Sequence, residues 1–459
     1  MLRRWQIECS NNALEKYRSG QSHFFCQATP GAGKTVLAAT VAKRLLSEGL
    51  IDLVLCFSPS LTVSEGIKRT FSNVIQKPLN GTMVCIGRSL TYQSLLNQND
   101  DLWLALRERK VFVVFDEIHH CSGAEMEQAN VWGQKILAQI QSLATFTLAM
   151  SGTPWRSDSL PIVMCRYTDP DGHLLVDYQY SLKQAIKDNV CRKPKIVLVD
   201  NDHLSVTTGE RVESFSSIAE LVKRTKSSYQ SIIHNDEAME HLLKLGCTKL
   251  AEIRCFLPEA GGLVVASSVH HAEKIKGILS RKYAQSVSIV TYRHHEPLLE
   301  IEHFRNSNTQ WIVSVGMISE GTDIPRLQVC CHMSSVKTEL YFRQVLGRIL
   351  RANQSKNQHA WLFTFAEESL VSFAERIEQD IPGTCMFAKF KEPVDIEWQS
   401  VEYANSSNDS SQKTIQQQTT LGWSESAITD MSPDQSAYEL DQIQLGNFKQ
   451  RIIEAFMAV

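Results

Sequence analysis

A chain of 459 residues with 43% hydrophobic and 21% charged side chains has the balance of a globular protein, and its length calls for two or three domains. A net charge of -3 supplies no general basic field, so any nucleic-acid contact has to be local. Twelve cysteines without a C-x-x-C pair argue against structural zinc and a disulfide framework, and no stretch has the roughly 18 apolar residues of a membrane helix, so a cytoplasmic protein with no membrane partner is expected.

The opening MLRRWQIECSNNALEKYRSG has no apolar signal core. From about residue 20, HFFCQA, LVLCFSP, TMVCIG, VFVVFDE and FTLAMSGTP predict strands, with helices predicted for KTVLAATVAKRLLSEG and EMEQANVWGQKILAQIQSLA between them. This alternation predicts a doubly wound parallel sheet ending near residue 190. Apolar residues three and four apart over 214–257 predict helices. A second alternating series starts with GGLVVASS at 261 and continues through VSIVTY, WIVSVGM, LQVCCHM and HAWLFTF. The expected organisation is α/β throughout: a first lobe over 1–195, a short helical inter-lobe segment over 196–260, a second lobe over 261–395, and a C-terminal tail over 396–459. ANSSNDSSQKTIQQQTT in that tail reads as a flexible linker, and residues 437–456 as a final amphipathic helix that docks elsewhere.

ATPGAGKT, residues 28–35, sits between the first predicted strand and the first long predicted helix, where a Gly-rich loop and a helix N-terminus can cradle phosphates. Thr29, Gly31, Ala32 and Gly33 form the cradle, Lys34 reaches the β and γ phosphates of ATP, and the Thr35 hydroxyl ligates magnesium. Ala28 stands where the strict motif has its first glycine. VFVVFDEIHHC, residues 111–121, carries a buried strand straight into two acids. Acids at that end of a parallel strand face the ligand crevice, so Asp116 is expected to hold magnesium and Glu117 to orient or deprotonate the water that attacks the γ-phosphate. A zinc protease would place its histidines one turn apart on a helix. His119 is therefore read as a polar coupler and His120 as a loop residue.

These residues resemble the superfamily 2 helicases and translocases, the DEAD/DEAH-box class in the broad sense, over roughly residues 1–390. FDEIHH is similar to their D-E-x-H box, and the alanine at position 28 is a form common among them. LRRWQIEC resembles the R-x-x-Q segment, which implies that Gln6 contacts ATP. SGTP resembles the motif that couples hydrolysis to strand binding, with Ser151 and Thr153 as its hydroxyls. SEGTDIP, residues 319–325, resembles the loop in which Gly321 and Asp323 face nucleotide and nucleic acid. QVLGRILR, residues 344–351, resembles Q-x-x-G-R-x-x-R, whose Gln344, Arg348 and Arg351 would share one helix face and carry two arginine fingers to the γ-phosphate. SPSLTVSEG and GRSLTYQSL resemble segments that grip a strand's backbone, giving Ser58, Ser60, Arg88 and Thr91 as nucleic-acid contacts, and GLVVASSVHHAEKI resembles the second-lobe counterpart.

The resemblance implies two RecA-like lobes in tandem with an ATP cleft between them, ATP and Mg2+ as cofactors, and a nucleic-acid-stimulated ATPase. SGTPWRSD, SEGTDIPRL and YFRQVLGRILR look closer to bacterial restriction and DNA-repair motors than to RNA DEAD-box proteins, which favours DNA over RNA. The alternatives are a nucleotide-gated DNA-binding subunit of a phage-defence, restriction or repair assembly, with partner proteins engaged through the tail, and an RNA helicase.

Overall fold

Residues Val111–Asp116 are all buried because the strand they form lies mid-sheet between two apolar clusters. Phe112 and Val114 enter the cluster on one face; Val111, Val113 and Phe115 enter the other. A strand covered on both sides needs no polar alternation, which is why this run is uninterrupted. The computed structural model describes residues 2–79, 85–97, 100–122, 130–154, 160–168, 172, 174–208, 211–224, 229–291, 293, 296–318, 322, 324–352, 359–378 and 442–454.

The first lobe runs α1 (Arg4–Arg18), β1 (His23–Ala28), α2 (Lys34–Ser47), β2 (Leu53–Ser58), α3 (Leu61–Ile75), β3 (Gly87–Thr91), α4 (Asp100–Glu108), β4 (Val111–Asp116), α5 (Val131–Lys135), β5 (Phe146–Ser151), the short pair β6 (Arg166–Tyr167) and β7 (Leu174–Leu175), β8 (Tyr178–Tyr180) and α6 (Leu182–Lys187). Its sheet has the order β3-β2-β4-β5-β1-β8 with every neighbour parallel. Helix α1 buries Trp5, Cys9, Ala13 and Tyr17, four residues apart and so on one face, and Trp5 stacks on Tyr180 with ring centroids 4.8 Å apart. Residues 82–84 of the expected strand at 82–87 lie outside the described residues, and of the rest only Gly87 is in a strand. The sheet's edge strand is instead β3, formed by GRSLT, whose polar composition suits an edge and gives little strand signal.

The second lobe runs β9 (Lys193–Asn201), β10 (Leu204–Thr208), β11 (Arg211–Phe215), α7 (Ile218–Arg224), α8 (Tyr229–His234), α9 (Asp236–Arg254), β12 (Gly261–Ala266), α10 (Val269–Tyr283), β13 (Val287–Thr291), α11 (Pro297–Asn306), β14 (Trp311–Val315), β15 (Leu327–Met333), α12 (Glu339–Ile349), β16 (His359–Phe365), α13 (Glu368–Glu378), β17 (Gln442–Leu445) and β18 (Phe448–Glu454). Its sheet order is β13-β14-β12-β15-β16-β9-β18, parallel except for the antiparallel β18. The two expected parallel-sheet lobes are present in tandem.

Two expectations are corrected. Residues 196–260 are not a purely helical connector, because β9 pairs with β16 as part of the second sheet and β10–β11 form a hairpin before the helices start. The segment 437–456 is not a helix over its described part. Gly446–Asn447 interrupts it, and the flanking halves pair as β17 on β10 and β18 on β9. The Gly446 amide donates to the His203 carbonyl at 2.7 Å, and Phe448 stacks on His241 of α9 at 4.0 Å between ring centroids. The open edges of β9 and β10 offer these residues a full ladder of hydrogen bonds, which outweighs a weak helical pattern. The linker at 404–420 lies outside the described residues.

Deleting residues 442–459 is expected to lower the thermal midpoint and promote self-association, because it uncovers the β9 edge. Melting curves and light scattering test this; a variant that melts like the parent and stays monodisperse would show that β17 and β18 do not stabilise the lobe.

Candidate functional site

The order β4-β5-β1 places three strand ends side by side, and the turns that leave these strands converge at one edge of the sheet. After β1 the chain turns through Thr29–Gly33 into α2, with Gly31 and Gly33 at φ of 83° and 93°, a left-handed backbone that favours glycine. Ala28 is fully buried at the end of β1, so its methyl belongs to the core. On the outer side of the loop, Gln6 donates through Nε2 to the Gly33 carbonyl at 3.0 Å, and Arg3 donates through Nη1 to the Ala32 carbonyl at 2.6 Å. Gln6 also accepts the Arg3 amide through Oε1 at 2.9 Å. Both polar ends of Gln6 thus fasten the loop and the start of α1. Two loop carbonyls are held by α1, and the loop runs straight into the N-terminus of α2, the kind of helix end that attracts anions. Arg3 is a site residue that the sequence reading missed, although it is the arginine of the R-x-x-Q pattern.

Lys34 and Glu117 join this loop to the acids after β4, with Nζ 3.0 Å from Oε1. Glu117 adopts a left-handed backbone with φ of 50°, an uncommon conformation for a residue with a Cβ, as the chain leaves the strand for a single helical turn over Ile118–His120. Its other oxygen accepts from the Ser151 hydroxyl at 3.1 Å and from the Gly152 amide at 3.3 Å. Burial pushes the Glu117 carboxyl up, but the Lys34 ammonium, His119 and the Gly152 amide outweigh it and hold the group well below the usual carboxylate range. Ser151 is fully buried, faces His119 Nδ1 at 2.9 Å and accepts the Thr153 amide at 3.1 Å. His119 therefore bridges the box to the SGTP turn, and the His120 ring lies tilted against it at 4.5 Å. No group of three or more His, Cys, Asp or Glu able to hold a metal occurs among the described residues. Asp116 is buried at the last position of β4, and its carbonyl accepts the Tyr92 hydroxyl at 2.9 Å. A carboxylate at Asp116 and a hydroxyl at Thr35 are oxygen donors, which suit magnesium completed by phosphate and water.

The second lobe meets this loop through α12 and the residues just after it. A Cβ on Gly347 would stand 2.6 Å from Pro30 Cβ, so only glycine lets the helix approach the loop this closely. Gln344 is buried in α12, and Arg348 donates through Nη1 to the Thr322 carbonyl at 2.8 Å. The expected single helical face is corrected at Arg351. Helix α12 ends at Ile349, and Arg351 forms a β-bridge with Cys191; its Cγ would lie 3.1 Å from a Cβ on Gly31. Arg348 and Arg351 are thus set by different local structures, and Arg351 is the one that runs beside Gly31 of the loop. Gly321 and Asp323 lie outside the described residues.

The strand-gripping candidates divide. Ser58 is fully buried with its hydroxyl 3.3 Å from the Ser60 and Leu90 carbonyls, and Thr91 is buried with its hydroxyl accepting the Ser94 amide at 3.3 Å. These two are corrected from surface contacts to internal supports of their turns. Ser60, partly exposed, caps α3 by accepting the Val63 amide, and Arg88 is exposed on the edge strand β3.

Residues 1–156 match the family model of the type III restriction enzyme res subunit, and residues 248–353 match that of the helicase conserved C-terminal domain. An uncharacterized protein of Mycobacterium leprae (strain TN) is 28% identical over 395 residues, covering 82% of this chain and 64% of the relative. The chain thus spans less than two thirds of that relative's length. The DNA 3'-5' translocase XPB2 of Sulfurisphaera tokodaii is 23% identical over 348 residues, covering 70% of this chain and 73% of its own. A fragment structure assigned to the HsdR subunit of a type I restriction enzyme from Vibrio vulnificus YJ016 superposes with a TM-score of 0.54 at 16% identity, over 83% of this chain and 67% of that one, a likeness of fold.

Because its pKa is depressed, the Glu117 carboxylate contributes stability above its ordinary value, and that contribution is lost as pH falls through the depressed one. In Lys34→Met, burial loses its main opponent, and Glu117 is expected to protonate at a distinctly higher pH. Carbon NMR of the labelled Glu117 carboxyl reads this directly; an unmoved midpoint would show that Lys34 is not what holds it ionised.

Proposed function

The chain belongs to the superfamily 2 helicases, and from that premise we propose that it is an ATP-driven motor that moves along or unwinds DNA. The observation that carries this reading is the meeting of the lobes at the phosphate loop: Gly347 packed on Pro30 and Arg351 against Gly31. A simple phosphate-binding lobe has no need for arginines delivered by a second one.

In this reading ATP lies between the lobes with its phosphates on the 29–35 loop. Lys34, engaged with Glu117 in this structure, turns to the β and γ phosphates, whose charge competes for the ammonium. Glu117 then receives a proton from the attacking water, whose oxygen bonds to the γ phosphorus as the bond to the β,γ-bridging oxygen breaks, giving ADP and phosphate. Magnesium held by Asp116 and Thr35 would neutralise phosphate charge. Arg348 and Arg351 offer planar cations to the charge spread over the transferring phosphoryl oxygens. Ser151 and His119 feel the state of Glu117 directly, so hydrolysis is transmitted to the SGTP turn. Motion along a strand requires that open and closed lobes differ in affinity for it. Gln6 contributes by holding the loop, and its amide is placed to read the base only if that hold relaxes. DNA is favoured over RNA because the relative from Sulfurisphaera is named a DNA translocase and the first lobe matches a restriction-enzyme subunit. Ser60 and Arg88, whose side chains are accessible on the first lobe, would touch the strand.

ATP hydrolysis by the purified protein is expected to rise with DNA, and Glu117→Gln to lower the stimulated rate by about 10²- to 10⁴-fold while ATP binding persists. Comparing single-stranded DNA, duplex DNA and RNA names the track; equal rates with and without every polymer would overturn the motor reading. Gly347→Val, which drives a branched side chain into Pro30, is expected to lower kcat while sparing nucleotide binding by the first lobe, as read by titration with a fluorescent ATP analogue. Wild-type turnover in this variant would mean that the helix need not close on the loop.

A further inference from the structure

The inter-lobe crossing contains a charge that the proposed hydrolysis does not use. Arg192, the residue before β9, has no exposed surface. Among the described residues no carboxylate pairs with it, although a buried guanidinium is costly to leave without one. Its partners are backbone carbonyls from two segments distant in sequence. Nη1 donates to Leu327 at 2.8 Å and to Ile349 at 3.1 Å, and Nη2 reaches Pro325 at 3.4 Å. Pro325 and Leu327 flank the end of the SEGTDIP loop; Ile349 is the last residue of α12, where helix carbonyls lack intrahelical partners and carry partial negative charge. The Arg192 amide also donates to the Leu350 carbonyl at 2.6 Å. Immediately before it, Cys191 bridges to Arg351 and lies with Sγ 3.7 Å from the Pro30 carbonyl.

We propose that Arg192 is a positioning residue for hydrolysis: its guanidinium fixes the end of α12 and the 325–327 turn on the inter-lobe crossing, so that Arg351 is held against the phosphate loop. Without the fork, the C-terminal turn of α12 loses its anchor, and the bridge that carries Arg351 past Gly31 is no longer set relative to Cys191 and Pro30. Lysine cannot replace it, because a single ammonium does not span carbonyls of two segments with the planar geometry of the fork. Burial lowers the Arg192 pKa to about 10, so the group stays charged under working conditions. The role rests on the ATP-driven reading above, whereas the seating of the crossing does not.

The test uses the full chain with Arg192→Lys and Arg192→Met, each alone and combined with Arg351→Ala. Each single variant is expected to lower kcat by about tenfold to a hundredfold, the effect of a small misplacement of a reacting group. The KM for ATP should stay within about twofold. With Arg351 already removed, the Arg192 substitutions should cause little further loss, because they act through the residue that is gone. Hydrogen exchange should rise at 28–34 and 345–352 and stay unchanged over β12–β14. The proposal is overturned if the kcat losses multiply, or if exchange rises throughout the second lobe with a lowered melting temperature, which marks a general packing role. A wild type that does not hydrolyse ATP would sink the motor reading, while the exchange pattern would still decide whether Arg192 seats the crossing.

Discussion

The ion pair between Lys34 and Glu117 is the contact around which the cleft is arranged. It can form because β4, β5 and β1 are consecutive in the sheet, so the acids after β4, the SGTP turn after β5 and the phosphate loop after β1 emerge at one edge. Partial burial would neutralise an isolated carboxyl there; the ammonium, His119 and the Gly152 amide keep Glu117 ionised. The same ammonium is the group that phosphates require. In the proposed function nucleotide and carboxylate would therefore draw on one cation, and the exchange between them would free Glu117 when a phosphate is bound.

The second lobe engages this centre with few side chains and close backbone approach. A missing Cβ at Gly347 lets α12 rest on Pro30, and Arg351 leaves the helix to run past Gly31. Arg192 provides the rigidity behind this approach by gathering carbonyls from the helix end and the 325–327 turn at the point where the chain passes between lobes.

The C-terminal strands address a different constraint. A parallel sheet built outward from β12 leaves β9 at its margin with unpaired backbone groups, and a hairpin beyond it has the same exposure. Residues 442–454 cover both edges, with Ile453 buried and Lys195 paired with Glu454. The second lobe is thereby closed by a segment that lies more than sixty residues beyond its other strands in the chain.

Local order was legible in the sequence. Apolar runs marked β1, β2, β4, β5 and β12–β16, since whether a strand is buried on both faces is written into five or six adjacent residues. The glycine turn at 29–33, Lys34 and the Asp116–Glu117 pair stood out for the same reason, being short stretches whose glycines and charges act on near neighbours. What the sequence could not disclose were pairings between distant segments. A polar GRSLT became an edge strand, residues read as a helix became two strands, Ser58 and Thr91 turned inward, and Arg351 left its helix. Arg192 offered no signal at all, because the carbonyls that explain it lie 133 to 157 residues further along the chain. Periodicity records what a residue does within its own element; the partner of an open edge or a buried charge is chosen only when the elements are brought together.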